Sequence, residues 1–221
     1  MDRALIIGAS GGIGAALAAA LRARGVQVTG LSRSAAGLDV TDEGSVREHL
    51  QGLGPGFDLI FVATGALAGA GRPPEKTLRT LTPRAMADQF AVNCIGPALV
   101  MKHALHLLPR NRRAVFAALS ARVGSIGDNR LGGWYSYRAA KAALNQVIHT
   151  GAIELARTHP QAICVALHPG TVATEFTADY AGRHPTVPPA EAAQNLLAVV
   201  NGLSAAQTGG FFDWRGAAVP W

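Results

Sequence analysis

Cysteine and lysine are scarce in this chain, charge is thin, and no long apolar run interrupts it. The two cysteines in 221 residues, Cys94 and Cys164, both sit in apolar stretches. That excludes a disulfide framework and points to a reducing compartment with two buried thiols. Charged residues make up 15% of the chain against 49% hydrophobic ones, which excludes disorder and fits one globular domain. A domain of this size buries roughly 70% of its unfolded surface. No apolar stretch reaches the roughly 18 residues of a membrane helix. The N-terminus runs into a strand-like ALIIGAS instead of the basic start and cleavage site of a signal peptide. A cytoplasmic protein without a membrane partner is expected, and no metal site.

The only lysines are Lys76, Lys102 and Lys141, so the net charge of +6 rests on scattered arginines. Arg110, Arg112 and Arg113 form the densest cluster, and they fall in a short connector. No basic stripe with interleaved aromatics is present to neutralise and stack a strand, so nucleic acid is not an expected partner. A phosphate-bearing small molecule accounts for the excess charge equally well.

Short aliphatic runs alternate with longer Ala/Leu segments. Strands are predicted at 3–7, 26–31, 57–62, 114–119 and 162–167, with further short ones near 38–40 and 210–213. Helices are predicted at 13–23, 43–50, 83–108 with a break around Gly96-Pro97, 135–158 and 189–203. Such alternation implies parallel pairing through crossover helices. The expected fold is therefore α/β, a Rossmann-like doubly wound parallel sheet of about seven strands with helices on both faces, in a single domain. The loose stretches 65–76 and 174–187 are long enough for functional loops, and the second is the candidate substrate cover.

The strongest local signal is Gly8-Ala9-Ser10-Gly11-Gly12-Ile13-Gly14, placed where the first strand gives way to the first helix. Glycines at 8, 12 and 14 permit a sharp turn and close approach of a pyrophosphate, while the next helix supplies free amides and a partial positive charge. No Gly-Lys-Ser/Thr follows, so this is not a P-loop. Ser32 and Arg33 end the second strand, where a carboxylate would favour a free ribose hydroxyl. A hydroxyl and a guanidinium suit the extra phosphate of NADP(H), which is expected over NAD(H).

Tyr137 and Lys141 stand four residues apart on a predicted helix, which places phenol and ammonium on one face. A nearby ammonium favours phenolate and lowers the tyrosine from about 10. The phenol then becomes a useful acid or base near neutrality.

Together, in this order, these motifs resemble the short-chain dehydrogenase/reductase family over nearly the whole chain. Gly8, Gly12 and Gly14 match its cofactor turn. Asp39-Val40 matches the pair that borders the adenine, and Ala63-Thr64-Gly65-Ala66 is similar to a degenerate Asn-Ala-Gly segment. Asn93 resembles the helix-kink asparagine that holds a water in a proton relay, and Tyr137 and Lys141 match the catalytic pair. Pro169, Gly170, Val172 and Thr174 belong to a stretch similar to the Pro-Gly motif at the nicotinamide. His168 reads as packing at a strand end. The run from Ser120 to Tyr137 and the Gly-Gly-Phe-Phe-Asp-Trp ending are similar to the C-factor and Sniffer-like branch of carbonyl reductases. In that branch Asn129, Arg130 and Trp134 would border the substrate, with a turn as the equal alternative for Asn129 and core packing for Trp134.

The chain departs from the family at the carbonyl-polarising serine, whose position aligned on Gly124 is Ala121. Ser125 is the first alternative and Ser120 the second, and neither need serve. The resemblance implies hydride transfer between nicotinamide and a ketone, aldehyde or secondary alcohol, with Tyr137 as acid/base and Lys141 holding the ribose. It also implies a homodimer or homotetramer. The competing reading, motivated by Ala121, is a non-catalytic dinucleotide-binding sensor or signalling protein.

Overall fold

The computed structural model of the chain describes residues 1–68, 71, 73–180 and 185–221, without the side chains of 178–180. Six parallel strands form one sheet: β1 (Arg3–Ile7), β2 (Gln27–Leu31), β3 (Leu59–Val62), β4 (Ala114–Leu119), β5 (Ala162–His168) and β6 (Phe211–Asp213), in the order β2-β1-β3-β4-β5-β6. The count is six, not about seven, because 38–40 forms no strand. There the Asp39 amide donates to Ser45 Oγ, and Oδ1 of Asp39 accepts from the amide and hydroxyl of Thr41. This local turn takes up the backbone groups that a ladder would need.

Strand residues alternate between two apolar clusters, as a period of two demands. Leu5, Ile7, Ile60, Val62, Phe116 and Cys164 face one cluster; Ala4, Ile6, Phe61, Val115, Ile163 and Val165 face the other. On the first face lie α3 (Glu43–Gln51), α5 (Gly96–Ala104) and α6 (Tyr135–Ala156); on the second lie α1 (Gly12–Ala23) and α7 (Pro189–Gly202). The short α2 (Arg33–Ala36) follows β2, and α4 (Pro83–Phe90) precedes α5. Both faces are covered, so the central strands read as continuous apolar runs. Cys94 and Cys164 are free thiols and buried.

The predicted helix 83–108 keeps going through Gly96-Pro97 instead of breaking there. A π turn, Ala91–Ile95, separates α4 from α5 and contains Asn93. Pro97 has no N–H to give the Asn93 carbonyl four residues back, and the wider turn accommodates that loss without ending the helix.

The chain leaves β1 toward β2 on one side and returns to β3 on the other. That reversal opens a crevice at the carboxyl ends of β1 and β3, the position at which doubly wound sheets bind ligands. No described helix is long and apolar enough to cross a membrane.

Candidate active site

The glycine turn occupies that crevice. Gly8 has φ +86°, and a Cβ there would meet Ala63 and Thr64 at 3.0–3.1 Å. A Cβ on Gly14 would lie 2.1 Å from the Gly8 carbonyl oxygen, so the first turn of α1 closes directly on the end of β1. Gly11 caps α1 without a side-chain hydrogen bond, and no acidic residue occupies the first turn. The amides and positive end of the dipole are thus available to an anion. Ser10 and Gly11 are exposed, and Ile13 is half-buried.

From the far side of the sheet, Thr174 brings its methyl to within 2.5 Å of where a Gly12 Cβ would stand. Tertiary folding has therefore joined the Pro169-Gly170 segment to the glycine turn. Gly170 turns with φ +78° against the Trp214 ring. Val172 is buried and bridges Val187, with Ala173 donating to the Val187 carbonyl and Val187 to that of Thr171. Phe176, from the same stretch, packs 6.2 Å from the Tyr137 ring. The rest of the candidate cover, 181–184, lies outside the described residues, as do 69, 70 and 72 of the earlier loop.

Ser32 caps α2 by accepting from the Ala35 amide, which leaves Arg33 as the first residue of that helix, exposed at the end of β2. The Thr41 hydroxyl and amide hold the Asp39 carboxyl below its usual range, with a contribution from the Arg33 charge. Val40 is buried, its methyl 2.9 Å from where a Gly96 Cβ would be. At the end of β3, Ala63 donates to the Ile7 carbonyl and Thr64 Oγ1 is buried without a partner. An orphaned hydroxyl beside an uncapped helix N-terminus and a glycine-lined crevice is what a polar dinucleotide would complete. The residues present fit such a cofactor.

Tyr137 and Lys141 are both buried on α6, 5% and 2% exposed. Lys141 Nζ donates to the Leu119 carbonyl at 2.8 Å and stands 5.8 Å from the Tyr137 ring centroid. Burial drives the lysine down to about 7. The same burial raises the phenol above its ordinary value, the reverse of the lowering predicted from charge proximity. The ammonium spends its short contact on a backbone carbonyl, so desolvation governs the tyrosine.

Asn93 is fully buried. Its Nδ2 donates to the Ala66 carbonyl at 2.8 Å and to Gln89 Oε1 at 2.7 Å, and its Oδ1 accepts from the Ala66 amide. The side chain thus pins the loop after β3, with both of its Nδ2 hydrogens spent on protein acceptors. A Cβ on Gly65 would lie 3.2 Å from Asn93 Oδ1 and 3.8 Å from Lys141 Nζ, so these groups converge on bare backbone.

Both serine candidates are drawn elsewhere. Ser120 Oγ donates to Asn145 Oδ1 at 2.6 Å, whereas Ser125 Oγ donates to the Pro220 carbonyl and accepts from the Asp128 amide. Asn129 makes a turn by accepting from the Gly132 amide, and Arg130 is exposed. Trp134 meets Tyr137 edge-on at 6.2 Å. His168 is driven down to about 4 by burial, and its Nδ1 has no partner, in keeping with packing.

A cavity of about 340 Å³ adjoins Tyr137, walled by Leu67, Pro73, Pro74 and Ala85 and edged by Glu75, Lys76, Thr80, Thr82 and Gln89. Sequence reasoning missed Glu75 and Gln89. The spacing of Gln89 four residues before Asn93 was a signal for it; nothing local marked Glu75.

Several known proteins resemble this chain. Residues 8–206 match the family model described as Enoyl-(Acyl carrier protein) reductase. The chain is 30% identical to the 1-hydroxy-2-glutathionyl-2-methyl-3-butene dehydrogenase of Rhodococcus sp. (strain AD45), with both chains covered in full. It is 36% identical to the C-signal protein of Myxococcus xanthus over 62% of this chain and 78% of that one. A short-chain dehydrogenase/reductase structure from Burkholderia multivorans with bound NADP superposes with a TM-score of 0.81 at 26% identity, covering 100% of this chain and 99% of the other.

Proposed function

The chain belongs to the short-chain dehydrogenase/reductase family, and from that premise we propose that it is an NADP(H)-preferring carbonyl reductase in which Tyr137 is the acid/base. The observation that carries this reading is the pair of buried groups, Tyr137 and Lys141, one helical turn apart beside a cavity at the carboxyl ends of the strands. A protein that only bound a dinucleotide could use the amine to hold a ribose but would have no use for a buried phenol one turn away.

In this reading the amides of Gly12, Ile13 and Gly14, with Ser10 and Gly11 beside them, take the pyrophosphate. Ser32 and Arg33 take the 2′-phosphate, Asp39 and Val40 border the adenine, and Ala63, Thr64 and Gly65 floor the crevice. Pro169, Gly170, Val172 and Thr174 line the nicotinamide side, and Lys141 reaches the ribose hydroxyls. The NADP bound by the Burkholderia relative supports the cofactor assignment. Bound there, the reduced cofactor supplies a hydride to the carbonyl carbon.

Everything else falls to the chain. Desolvation keeps the Tyr137 phenol protonated, so it can give its proton to the carbonyl oxygen. Lys141, at about 7, is balanced to take or hold a proton at neutral pH. The Asn93 carbonyl, to which Pro97 cannot donate, is the acceptor for the next link of the relay in this reading, while the Asn93 side chain keeps the Gly65–Ala66 backbone in place. With Ala121 in the serine position, Tyr137 is the single side-chain donor to the oxygen. The substrate is a ketone, an aldehyde or a secondary alcohol of a size suited to the cavity; the alcohol named for the Rhodococcus relative is a primary one, the counterpart of an aldehyde.

The test is titration of the purified protein with NADPH and NADH by cofactor fluorescence, followed by a carbonyl panel with the tighter binder. NADPH bound at least about tenfold more tightly and consumed by a carbonyl is the expected result. Binding of neither cofactor would overturn the assignment.

A further inference from the structure

The helix that carries Tyr137 begins without a cap of its own. Trp134, in the capping position of α6, makes no side-chain capping bond to the helix and has φ 53° and ψ 42°. It is the only non-glycine residue with positive φ among the described residues, and it follows Gly132 and Gly133 at φ 63° and 67°. A left-handed bulky residue costs on the order of 1–2 kcal/mol, so something must hold it.

Glu75, 59 residues earlier in the chain, supplies the missing contacts. Its carbonyl accepts from the Trp134 amide at 2.5 Å. Its carboxylate accepts from the Ser136 amide at 3.2 Å and from the Ser136 hydroxyl. Accepting the amide of the second helical residue is the work of a helix cap, done here from a distant loop, and a negative charge there also complements the helix dipole. Burial by itself pushes this carboxyl up, but hydrogen bonds from Ser136 and from its own backbone amide together more than offset it and keep it ionised. Glu75 is 7% exposed and Ser136 1% exposed.

We propose that Glu75 is a positioning residue for Tyr137, clamping the first turn of α6 to the 73–76 wall of the cavity so that the phenol is held at the substrate carbonyl. The proposal rests on the reading of Tyr137 as the acid. That placement carries unusual weight here, since Ala121 leaves no serine to share the oxygen. Gly133 packs beside the same wall, where its Cβ would lie 3.7 Å from the Glu75 carbonyl oxygen. The clamp therefore links the cavity wall and the acid, and a displaced wall would displace both.

The test uses the full chain and two readouts in Glu75→Ala and the conservative Glu75→Gln, which keeps one acceptor oxygen. Hydrogen exchange of the Ser136 and Arg138 amides, measured without any substrate, should speed up about tenfold or more in Glu75→Ala while the middle of α6 stays protected. Steady-state kinetics with NADPH should show kcat reduced on the order of tenfold to a hundredfold, KM for NADPH within about twofold, and partial recovery in Glu75→Gln. Unchanged exchange in Glu75→Ala would overturn the clamp, with or without activity. A loosened first turn with wild-type kcat would overturn the positioning role. A wild-type protein inert to every carbonyl would count against the reductase reading itself, and the exchange data would still decide whether Glu75 holds the turn.

Discussion

The Lys141 ammonium donates to the Leu119 carbonyl at the end of β4, and this contact ties the helix bearing Tyr137 to the sheet across 22 residues. The lysine is thereby fixed at a definite height above the strand ends, with its charge turned to backbone. The tyrosine beside it is left to desolvation, which favours the protonated phenol and hence an acid role in the reducing direction.

Tyr137→Phe removes that proton donor while preserving the ring contacts with Trp134 and Phe176. NADPH-dependent reduction should fall about a hundredfold or more, with NADPH affinity changed little. Wild-type kcat in this variant would exclude the phenol from the reaction.

Arg33→Ala should weaken NADPH binding about tenfold or more and leave NADH binding nearly unchanged, because the guanidinium has only the 2′-phosphate to distinguish the two. The ratio of the two dissociation constants is the measurement. Equal losses for both cofactors would move the 2′-phosphate site elsewhere.

Gly14→Ala places a methyl 2.1 Å from the Gly8 carbonyl oxygen, a clash with the Gly8–Ala9 backbone. The expected cost is about 1–3 kcal/mol of stability, with cofactor affinity lost as α1 is pushed off the turn. Denaturant unfolding and NADPH titration of the variant check both effects.

Ala121→Ser restores a hydroxyl where the family carries one. Ala121 is extended, with φ −145° and ψ 143°, and follows the buried Ser120, so its side chain takes the opposite direction. A rise of about tenfold in kcat/KM is expected from a second donor to the carbonyl oxygen. A drop in activity would show that the pocket has been shaped around the missing group.

His168 sets an acid limit on stability. Burial holds its folded-state value near 4, below the ordinary 6.5. The unfolded chain takes up the proton first as pH falls, so the contribution is complete above about 6.5 and is lost between there and about 4. Urea unfolding at pH 7.5 and pH 5 should show a loss on the order of 1–2 kcal/mol that is smaller in His168→Gln. An equal loss in both proteins would assign the acid sensitivity to other groups.

Much of this architecture was legible along the chain. Periods of two and near four marked all six strands and the long helices, because side-chain direction follows from backbone geometry alone. The glycine turn was legible because only glycine tolerates the φ at Gly8 and the approach at Gly14. Tyr137 and Lys141 were bound to share a face by their spacing. The short 38–40 run misled, since its alternating residues were claimed by the Asp39 turn.

By itself, then, the sequence determined which residues share a strand, a turn or a helix face, since those relations are local. The tertiary structure decided what each group does with its charge and its hydrogen bonds. Ser120 went to Asn145 and Ser125 to Pro220, burial raised the phenol that charge proximity alone would have lowered, and Glu75 reached Ser136 across 61 residues. The physical reason is that desolvation and hydrogen-bond partnership depend on atoms brought together from distant segments. No spacing along one segment encodes them.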